Sequence, residues 1–146
     1  MMTMKRILIL FTALFATGSV FAQSEYNLRR RTLFEVLPVL SSDIVFLGNS
    51  ITDGWDNAHP EFFTDNNFAC RGIGGQVTSQ MLCRFRADVI DLRPKAVVIL
   101  AGTNDIAGNN GPIECGHIVE NIVSMAELAL ALSLIHISEP TRRVVI

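Results

Sequence analysis

The stretch KAVVILAGTND, residues 95–105, decides the fold, because an apolar run after Lys95 ends at a glycine and a polar segment. A short continuous run rich in β-branched residues is typical of a strand buried on both faces of a parallel sheet. Two further strands are predicted upstream, from IVFL at residues 44–47 and, more weakly, from NFAC at residues 67–70. Residues 102–111 are predicted to form a long polar loop.

Helical spacing separates these strands. Val77, Met81, Phe85 and Val89 recur every four residues and share one face of a predicted helix. Its other faces are expected to carry Arg84, Asp88 and Asp91, and Pro94 closes it. Further predicted elements are an amphipathic helix over residues 25–37, a helical turn over residues 60–63 and a last helix with Ile118, Ile122, Met125 and Ala129 on its apolar face.

The elements alternate in the order α-β-α-β-α-β-α. This order predicts a three-layer α/β fold, with a parallel flavodoxin-like sheet covered by helices on both faces. A sheet usually has about five or six strands. With three strands predicted, the sheet is expected to be incomplete because its C-terminal part is missing.

Composition narrows the functional classes. The 146 residues are 49% hydrophobic and 18% charged, which excludes a disordered chain. Residues 23–131 hold 8 Lys plus Arg and 13 Asp plus Glu, a formal charge of −5. Such an acidic balance argues against nucleic acid as a partner and against a basic membrane-binding patch.

The N-terminus has the pattern of a secretory signal peptide over residues 1–22. Lys5 and Arg6 provide the positive region, residues 7–16 the apolar region, and Val20 and Ala22 the small residues before cleavage. The alternative is a membrane anchor, but the apolar run is shorter than the ~20 residues that span a bilayer. The residue directly after the cleavage point is Gln23, so no cysteine stands there to carry a lipid. A secreted or periplasmic protein is therefore expected.

The C-terminus has a different origin in this interpretation. LSLIHISEPTR, residues 132–142, resembles residue for residue the conceptual translation of a transposase-type sequencing adapter. The helical spacing of apolar residues stops near Leu132 without a capping residue. The β-branched stretch before Pro140 does not continue this spacing. The alternative is an ordinary helix end followed by a strand. Residues 132–146 are thus expected to be non-native, and residues 23–131 to be the N-terminal portion of one domain.

Three polar clusters follow the three predicted strands: GNSIT at residues 48–52, GIGG at 72–75 and GTND at 102–105. Ligands of open parallel sheets bind beyond the carboxyl ends of the strands, so these clusters are expected to meet. Ser50 is then a candidate nucleophile. The backbone N–H groups of Ser50 and Gly75 and the side-chain amide of Asn104 are candidate donors of an oxyanion hole.

The clusters resemble the ordered blocks of the SGNH (GDSL-type) hydrolase family. FLGNSIT at 46–52 is similar to its first block, RGIGG at 71–75 to its second and GTND at 102–105 to its third. GIGG at 72–75 and GTND at 102–105 are also similar to the platelet-activating-factor-acetylhydrolase-like branch. The resemblance implies the SGNH hydrolase fold and a serine esterase that removes acetyl or other small acyl groups from carbohydrate or lipid. It implies no metal and no cofactor.

The sequence departs from this pattern at several positions. Asn49 stands where aspartate is more usual, Cys70 where asparagine is frequent and Gln76 where aspartate is common. The final Asp-x-x-His block, which supplies the general base, is absent from its usual place. His59, His117 and His136 are not expected to replace it, so these 146 residues alone are expected to be nearly inactive.

Other interpretations stay open at this point. Ser50 is also a good helix N-cap, and Asn104 a loop-capping residue. Residues 72–75 lack the G-x-G-x-x-G and G-K-[ST] patterns of phosphate loops. At the level of function, the alternatives are a non-catalytic glycan- or ligand-binding module of the same fold and a nucleotide- or flavin-binding domain. Two of the three cysteines (Cys70, Cys83 and Cys115) could pair, but small buried apolar side chains are expected.

Overall fold

The computed structural model describes Glu25, residues 28–30, residues 32–34 and residues 42–131. The predicted signal peptide and the predicted adapter-like tail lie outside the described residues. In the N-terminal segment, the described residues are helical, as their apolar spacing predicts. Arg29 Nη2 lies 2.6 Å from Glu25 Oε1, one turn away. Both side chains are exposed, and such pairs contribute only about 0.3–0.5 kcal/mol.

Residues 42–131 contain three strands, β1 (Ile44–Gly48), β2 (Phe68–Gly72) and β3 (Ala96–Leu100). Their order in the sheet is β2-β1-β3, and both pairings are parallel. The register sets Gly48 opposite Gly72 on one side and opposite Leu100 on the other. The predicted α/β fold with a parallel sheet is confirmed, and the carboxyl ends of the three strands lie level along one edge.

The helices of this part are α1 (Ser50–Ala58), α2 (Pro60–Thr64), α3 (Thr78–Asp88), α4 (Thr103–Ile106) and α5 (Cys115–Ala131), with a 3₁₀ turn at Ile90–Leu92. Helix α4 corrects the prediction of a loop throughout residues 102–111. Four residues are too few to show a helical period, so this turn depends on its tertiary contacts. None of the helices among the described residues is both long and apolar enough to cross a membrane.

One face of the sheet forms the apolar core with α3 and α5. Val45, Leu47, Val97 and Ile99 point to this face. They pack against three of the four residues of the predicted apolar stripe, Met81, Phe85 and Val89, but not Val77. Met125 and Ala129 of α5 complete this layer. Because burying a large apolar side chain stabilises by about 1.5–3 kcal/mol, this layer fixes α3 against β1 and β3.

An aromatic cluster covers the opposite face. The ring of Phe46 lies 5.5–5.8 Å from the rings of Trp55, Phe62, Phe63 and Phe68. Trp55 of α1 also stacks on Phe62 of α2 at 4.5 Å. Edge-to-face and offset-stacked pairs contribute beyond their buried area, by about 0.5–1.5 kcal/mol each. The cluster therefore attaches α1 and α2 to the strands, and α1 is the helix that begins at Ser50.

Two glycines allow α1 to approach the strand ends closely. A Cβ at Gly72 would overlap the backbone of Asp53, and a Cβ at Gly48 would overlap the side chain of Thr52. Any other residue at Gly72 would thus push α1 away from β2. Because neither position carries a side chain, the first turn of α1 can pack directly against the ends of β1 and β2.

The cysteines differ from the expectation of small buried side chains. Cys70 is buried, but Cys83 on α3 and Cys115 at the start of α5 are exposed, and all three are free. The prediction is therefore correct for Cys70 and wrong for the other two. Cys83 lies outside the apolar stripe of α3 and is not part of the apolar core.

Candidate active site

Ser50 is the first residue of α1, directly beyond the carboxyl end of β1, and its side chain is exposed. The N-cap of this helix is Asn49, whose Oδ1 accepts a hydrogen bond from the backbone N–H of Ile51 at 3.0 Å. The interpretation of Ser50 as the N-cap is therefore wrong. Because Asn49 caps the helix, the hydroxyl of Ser50 is not needed for that purpose.

Asn49 also joins the first cluster to the third. Its side chain is buried, and Nδ2 donates to Thr103 Oγ1 at 2.7 Å. One amide side chain thus accepts within α1 and donates across to α4, using both kinds of polar group that an asparagine carries. The contact ties the segment that holds Ser50 to the segment that holds Asn104.

The second cluster forms a turn between β2 and α3. The backbone N–H of Ile73 donates to Gly48 O at 3.1 Å, which extends the β1–β2 contact past the strand ends. Gly75 follows with φ of 78°, in the left-handed region that residues with a Cβ seldom adopt. The chain can turn at Gly75 because it is a glycine, and Gln76 then leads into α3.

Asn104 lies in α4 and is half-buried. Its Nδ2 donates to the backbone carbonyl of Gln76 at 2.8 Å, across 28 positions of sequence. The side chain thus binds the turn that contains Gly75, and the interpretation of Asn104 as a cap of its own loop is wrong. An amide nitrogen carries two hydrogens, and this bond uses one of them.

Three contacts therefore connect the three clusters in a ring. Ile73 binds Gly48, Asn49 binds Thr103, and Asn104 binds Gln76. The prediction that residues separated by 20 to 30 positions meet at one edge of the sheet agrees with these contacts. Ser50, Gly75 and Asn104 each belong to one of the connected segments.

Asp105 is a structural part of the site that sequence reasoning missed. It is only 3% exposed, and it accepts from the backbone N–H of Thr78 at 2.9 and 3.1 Å and from Thr78 Oγ1 at 2.6 Å. Asn121 of α5 donates to the same hydroxyl at 3.0 Å. A carboxylate at a helix N-terminus is favoured by the helix dipole and by the unpaired N–H groups there. Asp105, the residue next to Asn104, therefore fixes α4 against the first residue of α3.

Arg84 and Asp88 form a buried ion pair that the sequence analysis did not predict. They lie on faces other than the apolar stripe, as predicted, yet they are only 5% and 8% exposed, and Arg84 Nη1 lies 2.6 Å from Asp88 Oδ2. The apolar stripe predicts which face of α3 meets the core. It does not show that Arg84, beside this stripe, lies over the backbone carbonyl of Gly48. The only sequence signal was the spacing of four between opposite charges. Asp91, predicted on the same faces, is exposed.

The two described histidines lie outside this ring of contacts. His59, between α1 and α2, is exposed, and its Nδ1 lies 3.2 Å from Glu61 Oε1. The pKa of Glu61 is lowered from its ordinary value of 4.5, first by a backbone hydrogen bond of Glu61 and then by the His59 ring. His117 is exposed near the start of α5. Within the described part of the chain, no group of three or more His, Cys, Asp or Glu is arranged to hold a metal ion.

Comparison with known proteins identifies related sequences and folds. The sequence model of the GDSL-like lipase/acylhydrolase family matches residues 46–144. A GDSL-like lipase from Bacteroides thetaiotaomicron is 47% identical over 72% of this chain and 53% of its own, with a TM-score of 0.66. A Bacteroides fragilis protein, provisionally assigned as an acylhydrolase, is 46% identical over 75% of this chain and 52% of its own, with a TM-score of 0.64.

Among the curated proteins, a short match joins the chain to an uncharacterised lipoprotein, YqeF, of Bacillus subtilis. The two are 53% identical over 36 residues, which is 25% of this chain and 15% of that protein. The chain spans about half the length of the two solved Bacteroides structures.

Proposed function

Since the chain belongs to the GDSL-like lipase/acylhydrolase family, whose chemistry is ester hydrolysis, we propose that the whole protein is a serine esterase with Ser50 as its nucleophile. The observation that carries the proposal is the hydrogen bond that holds the Asn104 amide on the turn of Gly75. This bond attaches the side chain of one candidate oxyanion donor to the turn that contains another. The contact of Asn49 with Thr103 links the Ser50 segment to the same place.

The proposed chemistry begins with attack of Ser50 Oγ on the ester carbonyl carbon. The Ser50 proton passes to a general base, and the carbonyl oxygen becomes an oxyanion. Backbone N–H groups of Ser50 and Gly75 and the second amide hydrogen of Asn104 are the proposed donors to it. Ser50 also begins a nine-residue helix, whose positive N-terminal end favours developing negative charge.

Collapse of the tetrahedral intermediate releases the alcohol, which takes the proton back from the base. The acyl group remains on Ser50 as an ester. Water then attacks this ester, assisted by the same base, and releases the carboxylic acid and free Ser50. The reaction balances with water as its second substrate.

We further propose that neither His59 nor His117 is the base. His59 pairs with Glu61 on the surface, and His117 lies exposed on α5 and takes no part in the three contacts that connect the clusters. His136 lies outside the described residues. These 146 residues alone are therefore expected to hydrolyse esters about 10⁴- to 10⁶-fold more slowly than an intact esterase, as after loss of triad members.

The proposed substrates are esters of small acyl groups, acetyl above all, on carbohydrate or lipid. Support comes from the likeness of residues 72–75 and 102–105 to the platelet-activating-factor-acetylhydrolase-like branch. Export through the pattern of residues 1–22 would expose the enzyme to glycans and lipids outside the cytoplasm. The likeness to a Bacillus lipoprotein agrees with a protein that leaves the cytoplasm.

The test uses the protein encoded by the complete, uninterrupted gene. It is incubated with a fluorophosphonate, and the modified residue is identified by mass spectrometry. Hydrolysis of p-nitrophenyl acetate is measured in parallel. Labelling of Ser50, with both labelling and hydrolysis lost in Ser50→Ala, is the expected result. Ser124→Ala on α5 is the matched control and should retain both.

The opposite result would identify one of the alternatives. A folded protein that neither labels at Ser50 nor hydrolyses acetate, but binds glycans, would be a non-catalytic binding module. Nucleotide-dependent thermal stabilisation or a flavin spectrum would instead indicate a nucleotide- or flavin-binding domain.

A further inference from the structure

Arg84 places its guanidinium group between two segments of the candidate site. Nη2 donates to the backbone carbonyl of Gly48 at 3.1 Å, and Nε donates to Gln76 Oε1 at 2.7 Å. Gly48 precedes the Asn49–Ser50 pair, and Gln76 directly follows Gly75. One side chain from the middle of α3 therefore holds both the turn of the candidate nucleophile and the turn of the candidate oxyanion glycine.

The third nitrogen of the guanidinium group, Nη1, pairs with a carboxylate that balances the positive charge. Nη1 donates to Asp88 Oδ2 at 2.6 Å, one turn along α3, and both side chains are almost fully buried. A buried ion pair is a weak source of stability, because removing two charges from water offsets most of their attraction. Apolar side chains of similar volume would serve the fold about as well. The contacts with Gly48 and Gln76 are what an apolar residue could not supply.

The geometry of the guanidinium group suits this task. It is planar and rigid, and its donors point in fixed directions, whereas a lysine ammonium is a single nitrogen on a flexible stem. Gly48 O receives a second hydrogen bond from the backbone N–H of Ile73, so the end of β1 is held from two directions. The position of the carbonyl is therefore defined relative to both β2 and α3.

On the basis of the proposed function, we infer that Arg84 is a positioning residue: it sets the separation of the Ser50 turn from the Gly75 turn. It has no contact with the reacting atoms in this scheme and acts through Gly48 and Gln76. Misplacing reacting groups by about 1 Å can reduce the rate by about 100-fold.

The experiment compares variants of the protein from the complete gene. Arg84→Lys keeps the charge opposite Asp88 but cannot bind all three acceptors at once. It is expected to reduce kcat by about 10- to 100-fold, with KM changed less than about twofold. Arg86→Met is the matched control, since Arg86 is exposed two residues further along the same helix, and its kcat should equal that of the wild type.

A second pair of variants leaves Arg84 in place. Gln76→Leu removes the acceptor of Nε and is expected to lower kcat in the same way. Gln76→Glu restores an acceptor oxygen at that place and should recover most of the lost kcat. This pair decides the question even where a change at Arg84 prevents folding.

Hydrogen–deuterium exchange provides a readout that needs no activity. Arg84→Lys should speed exchange of the backbone amides of residues 49–52 and 74–77, while the α5 amides exchange as in the wild type. Equal kcat and equal exchange in Arg84→Lys and Arg86→Met would overturn the inference. A wild type that neither hydrolyses esters nor labels at Ser50 would refute the proposed function instead, and the exchange of the two turns would then decide whether Arg84 holds them.

Discussion

The side-chain nitrogen of Asn104 lies 2.8 Å from the backbone carbonyl oxygen of Gln76. This hydrogen bond orients an amide side chain beside the residue that follows Gly75. It leaves one amide hydrogen for another acceptor, and an oxyanion next to Gly75 is the proposed one.

Replacement of Asn104 tests this arrangement directly. In the protein from the complete gene, Asn104→Ala is expected to lower kcat for p-nitrophenyl acetate by about 10²- to 10³-fold, the usual effect of losing one oxyanion donor. Asn109→Ala is the control, because Asn109 is exposed a few residues further along. Equal kcat in the two variants would remove Asn104 from the proposed oxyanion hole.

Asp105 is expected to contribute stability through its bonds to Thr78. Asp105→Ala removes a buried charged acceptor and leaves the N–H and the hydroxyl of Thr78 without it. We expect the free energy of unfolding in urea to fall by about 2–3 kcal/mol. Asp91→Ala, at an exposed position, should change it by less than about 0.5 kcal/mol. A loss no greater than that of Asp91→Ala would show that the capping contact has little energetic effect.

Asn49 is expected to tolerate exchange for aspartate. The carboxylate of Asn49→Asp can still accept from Ile51, and the Thr103 hydroxyl can rotate to donate where it now accepts. Unfolding free energy should change by less than about 1 kcal/mol, whereas Asn49→Ala loses the cap and should cost about 1–2 kcal/mol. Similar losses in both variants, measured by urea denaturation, would contradict this account of the hydrogen bonds.

Two glycines near α1 form a matched pair for a stability test. A Cβ at Gly72 overlaps the backbone of Asp53, so Gly72→Ala should lower the unfolding free energy by about 1–3 kcal/mol. A Cβ at Gly54, within α1, meets nothing within 4 Å. Gly54→Ala should therefore raise the unfolding free energy by about 0.5–1 kcal/mol, since alanine is the better helix former. Thermal unfolding of the two variants should shift Tm in opposite directions.

The His59–Glu61 pair predicts a pH dependence whose sign is fixed. Because the pKa of Glu61 is lowered in the folded chain, its contribution to stability is present above pH 4.5 and is lost as the pH falls through the lowered value. His59→Ala should raise this pKa only in part, since the first cause is the backbone hydrogen bond of Glu61. NMR titration of the Glu61 carboxyl measures it, and a return to 4.5 would show that the histidine is the main cause.

The sequence predicted the fold well where local periodicity carries the information. The apolar run at Val97 and Ile99 identified a buried strand, and the spacing of Met81, Phe85 and Val89 identified the buried face of α3. Both signals show which side chains are buried, and burial within one strand or helix follows from the spacing of residues a few positions apart. The meeting of the polar clusters could be predicted as well, because parallel strands present their carboxyl ends at one edge.

Hydrogen-bond partners could not be predicted in the same way. The contact between Asn49 and Thr103 spans 54 positions, that between Gly48 and Arg84 spans 36, and that between Thr78 and Asp105 spans 27. Each depends on the strand register and on how α3 crosses the sheet. The helical pattern alone does not show that Arg84 and Asp88 are buried, since charged residues are seldom buried unless they are paired.

By itself, then, the sequence determined the alternation of strands and helices, the apolar residues of β3 and α3 that enter the core, and the three polar segments that follow the strands. The tertiary structure alone decided that Asn49 rather than Ser50 caps α1, that Arg84 is buried and that residues 103–106 form a helical turn. The physical reason is the range of the forces involved. Burial of apolar side chains follows local spacing, whereas a polar group needs one specific partner, and that partner is defined only when distant segments of the chain are packed together.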